Sequence, residues 1–199
     1  MTEKIKVLNL YAGIGGNRKL WKNVDVTAVE IIPKIGDIYK GFYPNDNVII
    51  GDAHQYLLNH YKEFDFIWSS PPCPTHSRAR FWGHSGKNPI YPDITLYQEI
   101  IFLKHHFNGK FCVENVIGYY EPLIKPVEVN RHYFWCNFFV NQFTMEHIGV
   151  CQGKDEFERL KRKLNIIVDD VKLLRNCVEP ELGLHVFKCA FKIKQTRLA

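Results

Sequence analysis

Through the first two-thirds of the chain, short runs of β-branched and aromatic residues alternate with stretches in which apolar residues recur every three or four positions. Such short runs, bounded by Gly, Pro or Asp, are typical of buried β-strands, and the longer spacing is typical of amphipathic helices. The predicted strands are residues 6–11, 24–30, 48–50, 64–69 and 111–114, and the predicted helices follow Pro33 and cover residues 53–61 and 94–107.

This alternation of strands and helices predicts an α/β fold with a doubly wound, mostly parallel sheet. The pattern changes after residue 129, where it predicts adjacent antiparallel strands at 131–139 and 142–150, a charged helix at 154–164 and a closing helix at 180–191. We therefore expect a small irregular appendage beside the sheet. Ligands of such sheets bind beyond the carboxyl ends of the strands, so the residues after each strand are candidate site residues.

The composition is that of an ordinary globular protein and excludes several classes. The chain has 199 residues, 46% hydrophobic and 24% charged, which excludes collagen-like, coiled-coil and disordered chains. No apolar run approaches a length of about 18 residues and the first residues do not resemble a signal peptide, so we expect no membrane span. The six cysteines contain no Cys-x-x-Cys pair, which predicts reduced thiols in a cytoplasmic protein and no metal site.

Basic residues are in slight excess and unevenly distributed. The 26 Lys and Arg residues exceed the 21 Asp and Glu residues, giving a formal net charge of +5. Residues 73–92 and residues 186–199 contain basic side chains and no acid. Each stretch is either a solvated face or a phosphate-binding surface, and charge alone favours the solvated face. Their basic residues are Arg78, Arg80, Lys87, Lys188, Lys192, Lys194 and Arg197.

The first three predicted strands each end in a residue suited to a cofactor. The turn Gly13-Ile14-Gly15-Gly16 precedes a predicted helix and lets a ligand approach the backbone, although a tight turn without a ligand has the same pattern. Arg18 breaks the Gly-x-Gly-x-x-Gly pattern of dinucleotide sites. Glu30 can accept hydrogen bonds from a ribose diol and Asp52 from an adenine amine, unless Asp52 only caps the next helix. Together they fit S-adenosylmethionine better than NAD.

The segment Pro71-Pro72-Cys73-Pro74 holds a thiol rigidly at a strand end, because each proline restricts its own backbone and that of the preceding residue. Cys73 is a candidate nucleophile or a buried structural cysteine. A nucleophilic thiol must ionise, and we expect a nearby cation to favour the thiolate, from His76, Arg78, Arg80 or Arg131. The long irregular stretch that follows, to Pro92, is predicted to close over a substrate.

Glu114 and Asn115 end the fifth predicted strand. A carboxylate that leaves an apolar run such as Phe111-Cys112-Val113 is costly to bury unless it is paired. Glu114 is therefore either a salt-bridged structural residue or a carboxyl of raised pKa that donates a proton to a ring nitrogen.

Four segments in order resemble the DNA (cytosine-5) methyltransferases: 11–16, with Tyr where Phe is usual, 71–73, 114–116 and 175–178. The resemblance implies the Rossmann-like fold of S-adenosylmethionine-dependent methyltransferases. It implies catalytic roles for Cys73, Glu114 and Arg131. It implies cofactor contacts from Tyr11, Ala12, Gly13, Gly15, Gly16, Glu30, Ile31, Asp52, Ala53, Pro71, Asn176 and Val178. Nucleic-acid contacts are expected from Ser77, Arg78, Arg80, His132, Lys161 and Arg162.

Two departures from the family pattern bear on substrate recognition. The Gln-x-Arg-x-Arg motif survives only in part, as Asn130-Arg131-His132, so either Arg131 or His132 has the substrate-contacting role. We favour Arg131, because a guanidinium keeps its charge and fork geometry. The region that usually holds a larger target-recognition domain is short. We therefore expect a catalytic core at 1–140, a reduced recognition segment at 141–174, and a segment at 175–199 that returns to the core.

The function implied by the resemblance is transfer of a methyl group from S-adenosylmethionine to C5 of a flipped-out cytosine in double-stranded DNA, through a covalent bond between Cys73 and C6. A branch of the family methylates tRNA, so RNA stays an alternative substrate. A catalytically silent binding module and an unrelated small-molecule methyltransferase are further alternatives. The short recognition segment suggests a protein partner or oligomer that supplies specificity, in a bacterial or phage-infected cell, and a restriction-modification role fits.

Overall fold

The computed structural model describes residues 3–81, 88–145 and 154–191. Short 3₁₀ turns cover Tyr61–Glu63 and Arg78–Phe81. The strands are β1 (Ile5–Leu10), β2 (Val24–Glu30), β3 (Asn47–Ile50), β4 (Phe66–Ser69), β5 (Lys110–Val116), β6 (Val127–Val129) and β7 (His132–Cys136). The helices are α1 (Pro33–Phe42), α2 (Ala53–His60), α3 (Thr95–His106), α4 (Lys154–Leu164), α5 (Val171–Arg175) and α6 (Pro180–Phe191).

The strands form one sheet in the order β3-β2-β1-β4-β5-β7-β6. The first five in this order are parallel, whereas β7 runs antiparallel to both β5 and β6. The order reverses direction between β1 and β4, so the crevice beyond their carboxyl ends is where a doubly wound sheet binds its ligand. The predicted α/β fold with a Rossmann-like sheet is confirmed. No helix in the described part of the chain is long and apolar enough to cross a membrane.

Helices cover both faces of the sheet because successive residues of its central strands point to opposite sides. On one face, Phe66 and Trp68 of β4 pack with Trp21 and with Phe187 of α6. On the other face, Ile67 of β4 packs in a second cluster with apolar residues of α2 and α3. The predicted closing helix is therefore a layer of the core, packed against the centre of the sheet.

The helix expected after the glycine turn is absent, and residues 11–20 form successive turns. Tyr11, Gly13 and Gly15 all have positive φ values, between 54° and 78°, whereas an α-helix needs a φ near −60°. The surface next to this turn is covered instead by the segment around α4 and α5. Ile14 is buried in a cluster with Leu164 and Leu174.

The second departure concerns the antiparallel region. The hairpin partner of β7 is β6, where no strand was predicted. Residues 142–145 form no strand, and residues 146–150 lie outside the described part. Asn130 and Arg131 connect β6 to β7 with φ values of 47° and 68°, which is the backbone of a two-residue hairpin turn of the primed type. Asn-Arg lacks the glycine that usually marks this turn, so the sequence pattern did not reveal it.

We expect Gly183→Ala to lower the free energy of unfolding by about 1–3 kcal/mol, because overpacking forces a backbone shift. A Cβ at Gly183 in α6 would lie 2.5 Å from the carbonyl oxygen of Asn17 and 2.7 Å from its Cα. The matched control is Gly41→Ala in α1, where no heavy atom lies within 4 Å of the added Cβ. The control should gain up to about 1 kcal/mol. Urea denaturation measures both, and equal midpoints would contradict the close packing of α6.

Candidate active site

The glycine turn and Glu30 form one hydrogen-bonded unit at the ends of β1 and β2. The backbone N–H groups of Gly13 and Ile32 donate to the two carboxylate oxygens of Glu30, each at 3.0 Å. Space for a Cβ is open at Gly13, but a Cβ at Gly15 would lie 2.4 Å from the Tyr43 ring. The turn is therefore held from below by Tyr43 and Glu30, and its Gly13 side stays open to a ligand.

The chain returns to this turn from its far end. A Cβ at Gly16 would lie 2.6 Å from the carbonyl oxygen of Val178 and 2.9 Å from Cβ of Cys177, so only glycine allows this approach. Burial raises the pKa of Cys177 to about 12, which keeps its thiol neutral. Asn176, the C-cap of α5, is exposed beside them. The structure thus brings together the glycine turn and the late segment that the sequence analysis assigned to the same pocket.

Asp52 follows β3 and is exposed. Its carboxylate accepts a hydrogen bond from the N–H of Gln55 at 3.1 Å, so it caps α2, whose first residue, Ala53, is buried. A capping carboxylate has further lone pairs and can still accept from a ligand. Ile31, directly after Glu30, is 64% exposed, which leaves its apolar side chain open to a ligand.

Cys73 lies on the other side of the switch point, at the end of β4. Asn115 of β5 donates to the carbonyl oxygen of Pro71 at 2.9 Å, which ties the proline segment to β5. The N–H groups of His76 and Ser77 donate to the carbonyl oxygen of Cys73 at 2.9 Å. Burial raises the pKa of the Cys73 thiol, and the Glu114 carboxylate raises it further. The Glu114 carboxylate therefore opposes ionisation of the Cys73 thiol in this structure.

Arg80, Arg78 and His76, three of the cations expected near Cys73, have other surroundings in this structure. Arg80 is only 8% exposed, and its guanidinium donates to the carbonyl oxygens of Pro74 and Asn88. Arg78 donates to the carbonyl oxygen of Gly118 at 2.9 Å. Burial lowers the pKa of His76. These side chains stabilise the start of the loop after Cys73, and the rest of it, residues 82–87 with Lys87, lies outside the described residues.

Glu114 is held from two sides. The hydroxyl of Ser70 donates to Glu114 Oε2 at 2.8 Å, and Nδ1 of His132 lies 2.7 Å from Oε1. Nε2 of His132 lies 3.6 Å from Oε2 of Glu179. Burial alone would lower the pKa of His132, but its hydrogen bonds to Glu114 and Glu179 outweigh this and raise the pKa to about 10. Glu114 is therefore an ion-paired carboxylate, as in the first of the two interpretations of the sequence.

Of the two candidates for the substrate-contacting role, the structure brings His132 to Glu114. Arg131 is exposed at the hairpin turn between β6 and β7, where its φ is 68°. His132 begins β7 and pairs with Val116 of β5, whereas Arg131 precedes the strand. The function of Arg131 stays a prediction.

Residues 5–122 match the family model of C-5 cytosine-specific DNA methylases, which is more than half of the chain. The chain belongs to this family. A tRNA (cytosine(38)-C(5))-methyltransferase from Spodoptera frugiperda is 25% identical over 174 residues, covering 81% of this chain and 50% of the relative. The chain therefore spans about half the length of the curated relative it matches.

Solved structures with a similar fold include a mutant of Spodoptera frugiperda DNMT2, with 27% identity, a TM-score of 0.39, and coverage of 57% of this chain and 36% of that one. A SAM-dependent methyltransferase from Agrobacterium tumefaciens has 15% identity and a TM-score of 0.42, with coverage of 60% and 41%.

The cofactor of this C-5 cytosine methylase chain is S-adenosylmethionine, and the residues at the ends of β1, β2 and β3 fit it. Gly13 leaves room for a ligand against the backbone, and Glu30 has lone pairs left for a ribose diol after its two backbone hydrogen bonds. The exposed side chain of Ile31 suits a purine face, and Asp52 suits the adenine amine. The missing helix after the glycine turn removes any contribution from a helix N-terminus.

The sequence analysis did not identify the buried carboxylate of Glu99 as part of the site. Glu99 of α3 is 0% exposed, and its carboxylate accepts from the hydroxyls of Tyr11 at 2.6 Å and Ser69 at 2.5 Å. Nδ1 of His54 lies 3.1 Å from the same carboxylate. These partners come from the ends of β1 and β4 and from α2, so Glu99 ties the two sides of the switch point together. Its position on the apolar face of α3, three residues after Leu96, was the available signal.

The remaining predicted nucleic-acid contacts have hydrogen-bond or ion-pair partners within the chain. Lys161 pairs with Asp169 at 3.3 Å and its ammonium lies 4.1 Å from the centre of the Phe157 ring. Arg162 is exposed, and its Nε donates to the backbone of Glu158. The Ser77 hydroxyl accepts from the N–H of Ala79 at 3.1 Å. Of the basic C-terminal stretch, only Lys188 is described; Lys192, Lys194 and Arg197 lie outside the described residues.

Proposed function

We propose that this chain transfers a methyl group from S-adenosylmethionine to C5 of a cytosine in DNA, with Cys73 as the nucleophile. The observation that carries the proposal is the pair of hydrogen bonds that join the segment of Cys73 to that of Glu114 at the ends of β4 and β5. Ser70 donates to Glu114, and Asn115 donates to the carbonyl oxygen of Pro71. One thiol and one carboxylate beside a methyl-donor pocket are what C5 methylation of a pyrimidine requires.

The thiol is needed because C5 of cytosine is a poor nucleophile. After Cys73 loses its proton, the thiolate attacks C6, and the electron pair of the C5–C6 double bond moves toward N3, which takes up a proton beside Glu114. The ring is then an enamine whose C5 can accept a methyl group. Loss of the C5 proton to a base expels the thiolate, restores the double bond and frees the product.

The cofactor supplies an electrophilic methyl group on a sulfonium. Glu30 would accept hydrogen bonds from its ribose, and Asp52 from its adenine amine. Ile31 would contact the face of the purine, and Gly13 would leave room for the ligand against the backbone. Tyr11, Ala12, Gly15, Gly16, Ala53, Pro71, Asn176 and Val178 would complete the pocket. Each of these residues positions the donor and excludes water from it.

A cytosine inside a duplex cannot reach Cys73, so the base must be flipped out, at a cost of a few kcal/mol. The surface beside Cys73 carries the exposed side chains of Arg78 and Phe81, and the Phe81 ring lies edge-on to Tyr119 with their centres 5.1 Å apart. An arginine and two aromatic rings can contact phosphates and stack on unpaired bases.

We assign residues 1–140 to catalysis, 141–174 to reduced target recognition and 175–199 to the return segment.

Transfer to tRNA is the second candidate, because the matched relative from Spodoptera frugiperda is a tRNA (cytosine(38)-C(5))-methyltransferase. A restriction-modification role in a bacterial or phage-infected cell, and a partner that supplies specificity, both depend on DNA being the substrate. The test is a pair of assays with tritiated S-adenosylmethionine, one on duplex DNA and one on unmodified tRNA, at equal salt. DNA labelling supports the proposal, tRNA labelling alone moves the substrate to RNA, and labelling of neither overturns both.

We expect Glu114→Gln to reduce turnover by at least about 10²-fold, since a neutral amide cannot pass a proton to N3, while nucleic-acid binding changes much less. Single-turnover kinetics and filter binding measure the two effects separately. The matched control is Glu128→Gln, which changes an exposed carboxylate of β6. Equal losses of binding and turnover in Glu114→Gln would contradict a role in the chemical step.

A further inference from the structure

A connected series of charged side chains runs from Glu114 away from the candidate substrate site. His132 lies between Glu114 and Glu179, at 2.7 Å and 3.6 Å, and Nζ of Lys163 lies 3.3 Å from the other oxygen of Glu179. Glu179 directly precedes α6, Lys163 belongs to α4, and His132 begins β7. Nothing in the sequence analysis pointed to Glu179 or to Lys163.

We propose that His132, held by Glu179, is the positioning residue that supplies the proton passed through Glu114 to N3 of the substrate. The inference rests on the proposed methyl transfer and deepens it. It stands on the geometry of the pair: Nδ1 of His132 contacts Glu114, and Ser70 fixes the other carboxylate oxygen, so the Glu114 carboxylate cannot rotate away. An imidazolium between two carboxylates carries a proton that it can give up, as a guanidinium cannot.

Protons and charges balance when the adduct between Cys73 and the cytosine forms. The Cys73–C6 bond forms from the thiolate. The Nδ1–H bond of His132 breaks as the Glu114 carboxylate takes up that proton, and Glu114 releases it to N3 as the N3–H bond forms. The negative charge of the thiolate and the positive charge of His132 disappear together, and Glu114 ends as the carboxylate with which it began. The proton returns to His132 by the same route when N3 is deprotonated.

The charged and titratable groups around His132 set the direction of the pH dependence. Glu114 and Glu179 raise its pKa to about 10, and burial opposes them. Lys163 acts on Glu179, whose pKa is about 2 because His132, its own backbone and Lys163 outweigh burial. Burial and the Glu114 carboxylate raise the pKa of Cys73, burial and the Glu179 carboxylate raise that of Cys177, and Arg131 precedes His132 in the chain. The active form carries the proton on His132, so the rate falls as pH rises through the pKa of that group.

The test compares single-turnover rates from pH 7 to pH 10.5 for the wild-type chain, Glu179→Gln and His132→Arg, on the nucleic acid that the wild type methylates. Removing one carboxylate should move the alkaline decline at least one pH unit toward neutral in Glu179→Gln. The decline should be absent in His132→Arg, whose guanidinium does not titrate in this range. Glu181→Gln, two residues from Glu179 and exposed, is the matched control and should leave the decline in place.

A second experiment does not depend on enzymatic activity and keeps His132 in place. Proton titration of isotope-labelled histidines by NMR should show one imidazole that stays protonated above pH 8 and that titrates at least one unit lower in Glu179→Gln. If the wild type transfers methyl groups, the inference is overturned by either of two results. The alkaline decline in rate is at the same pH in Glu179→Gln as in the wild type, or it persists in His132→Arg. If the wild type labels no nucleic acid, the proposed function fails, and an unshifted imidazole in Glu179→Gln would overturn the pairing as well.

Discussion

Replacing Cys73 with serine should lower methyl transfer by about 10³-fold or more while leaving S-adenosylmethionine binding nearly unchanged. A hydroxyl ionises far less readily than a thiol, and its oxygen is a weaker nucleophile toward C6. The burial that already raises the pKa of Cys73 would penalise an alkoxide even more. The measurements are tritium transfer for turnover and equilibrium binding for the cofactor. Substantial residual turnover would exclude the covalent route.

The thiol control for this experiment is Cys189→Ser. Cys189 lies on α6 next to His185, with 3.7 Å between its Sγ and Nε2, and takes no part in the proposed chemistry. Its substitution should leave transfer within a factor of about two. A substrate carrying 5-fluorocytosine gives a direct check, because fluorine at C5 cannot leave as a proton does. The wild type should accumulate a covalent adduct on the peptide that contains Cys73, and Cys73→Ser should form none.

The largest effect on stability is expected from Glu99→Ala, with a loss of about 3–5 kcal/mol. The substitution leaves the buried hydroxyls of Tyr11 and Ser69 without their acceptor and opens a cavity beneath α3. Glu99→Gln keeps an acceptor oxygen and the side-chain volume, so its loss should be about 1–2 kcal/mol. Urea denaturation separates the two variants, and a similar loss in both would mean that the charge of Glu99, rather than its hydrogen bonds, stabilises the fold.

The parallel part of the fold was predictable because each strand is a buried apolar run that ends at Gly, Pro or a carboxylate. The predicted bounds of β2 at 24–30 match the structure, and those of α3 differ by one residue at each end. The turn at Asn130 and Arg131 was not predictable, because its left-handed backbone is imposed by the pairing of β6 with β7 rather than by a glycine. The absent helix after Gly16 was missed for the same reason, since contacts distant in the sequence determine it.

The positions of Glu30 and Cys73 at the candidate site were predictable, because each belongs to a segment that ends a buried strand. The site was not predictable where the function depends on partners from distant segments. The choice between Arg131 and His132 depends on which one faces β5, and the partner on the far side of His132 comes from the residue before α6. Arg80, predicted to contact nucleic acid, donates to two carbonyl oxygens of its own loop, and the sequence pattern does not show those partners.

The contacts between the glycine turn and residues 177–183 have a consequence for the order in which the protein folds during translation. Val178 and Cys177 contact Gly16, the indole of Trp21 donates to the carbonyl oxygen of Gly183, and Gly183 lies against Asn17. A ribosome releases these residues only after β1 to β7 have all been made. We therefore expect the nascent chain to complete its proposed methyl-donor pocket only once residues 176–183 have emerged. Products truncated before residue 176, even ones that retain Cys73 and Glu114, should be unable to bind the donor.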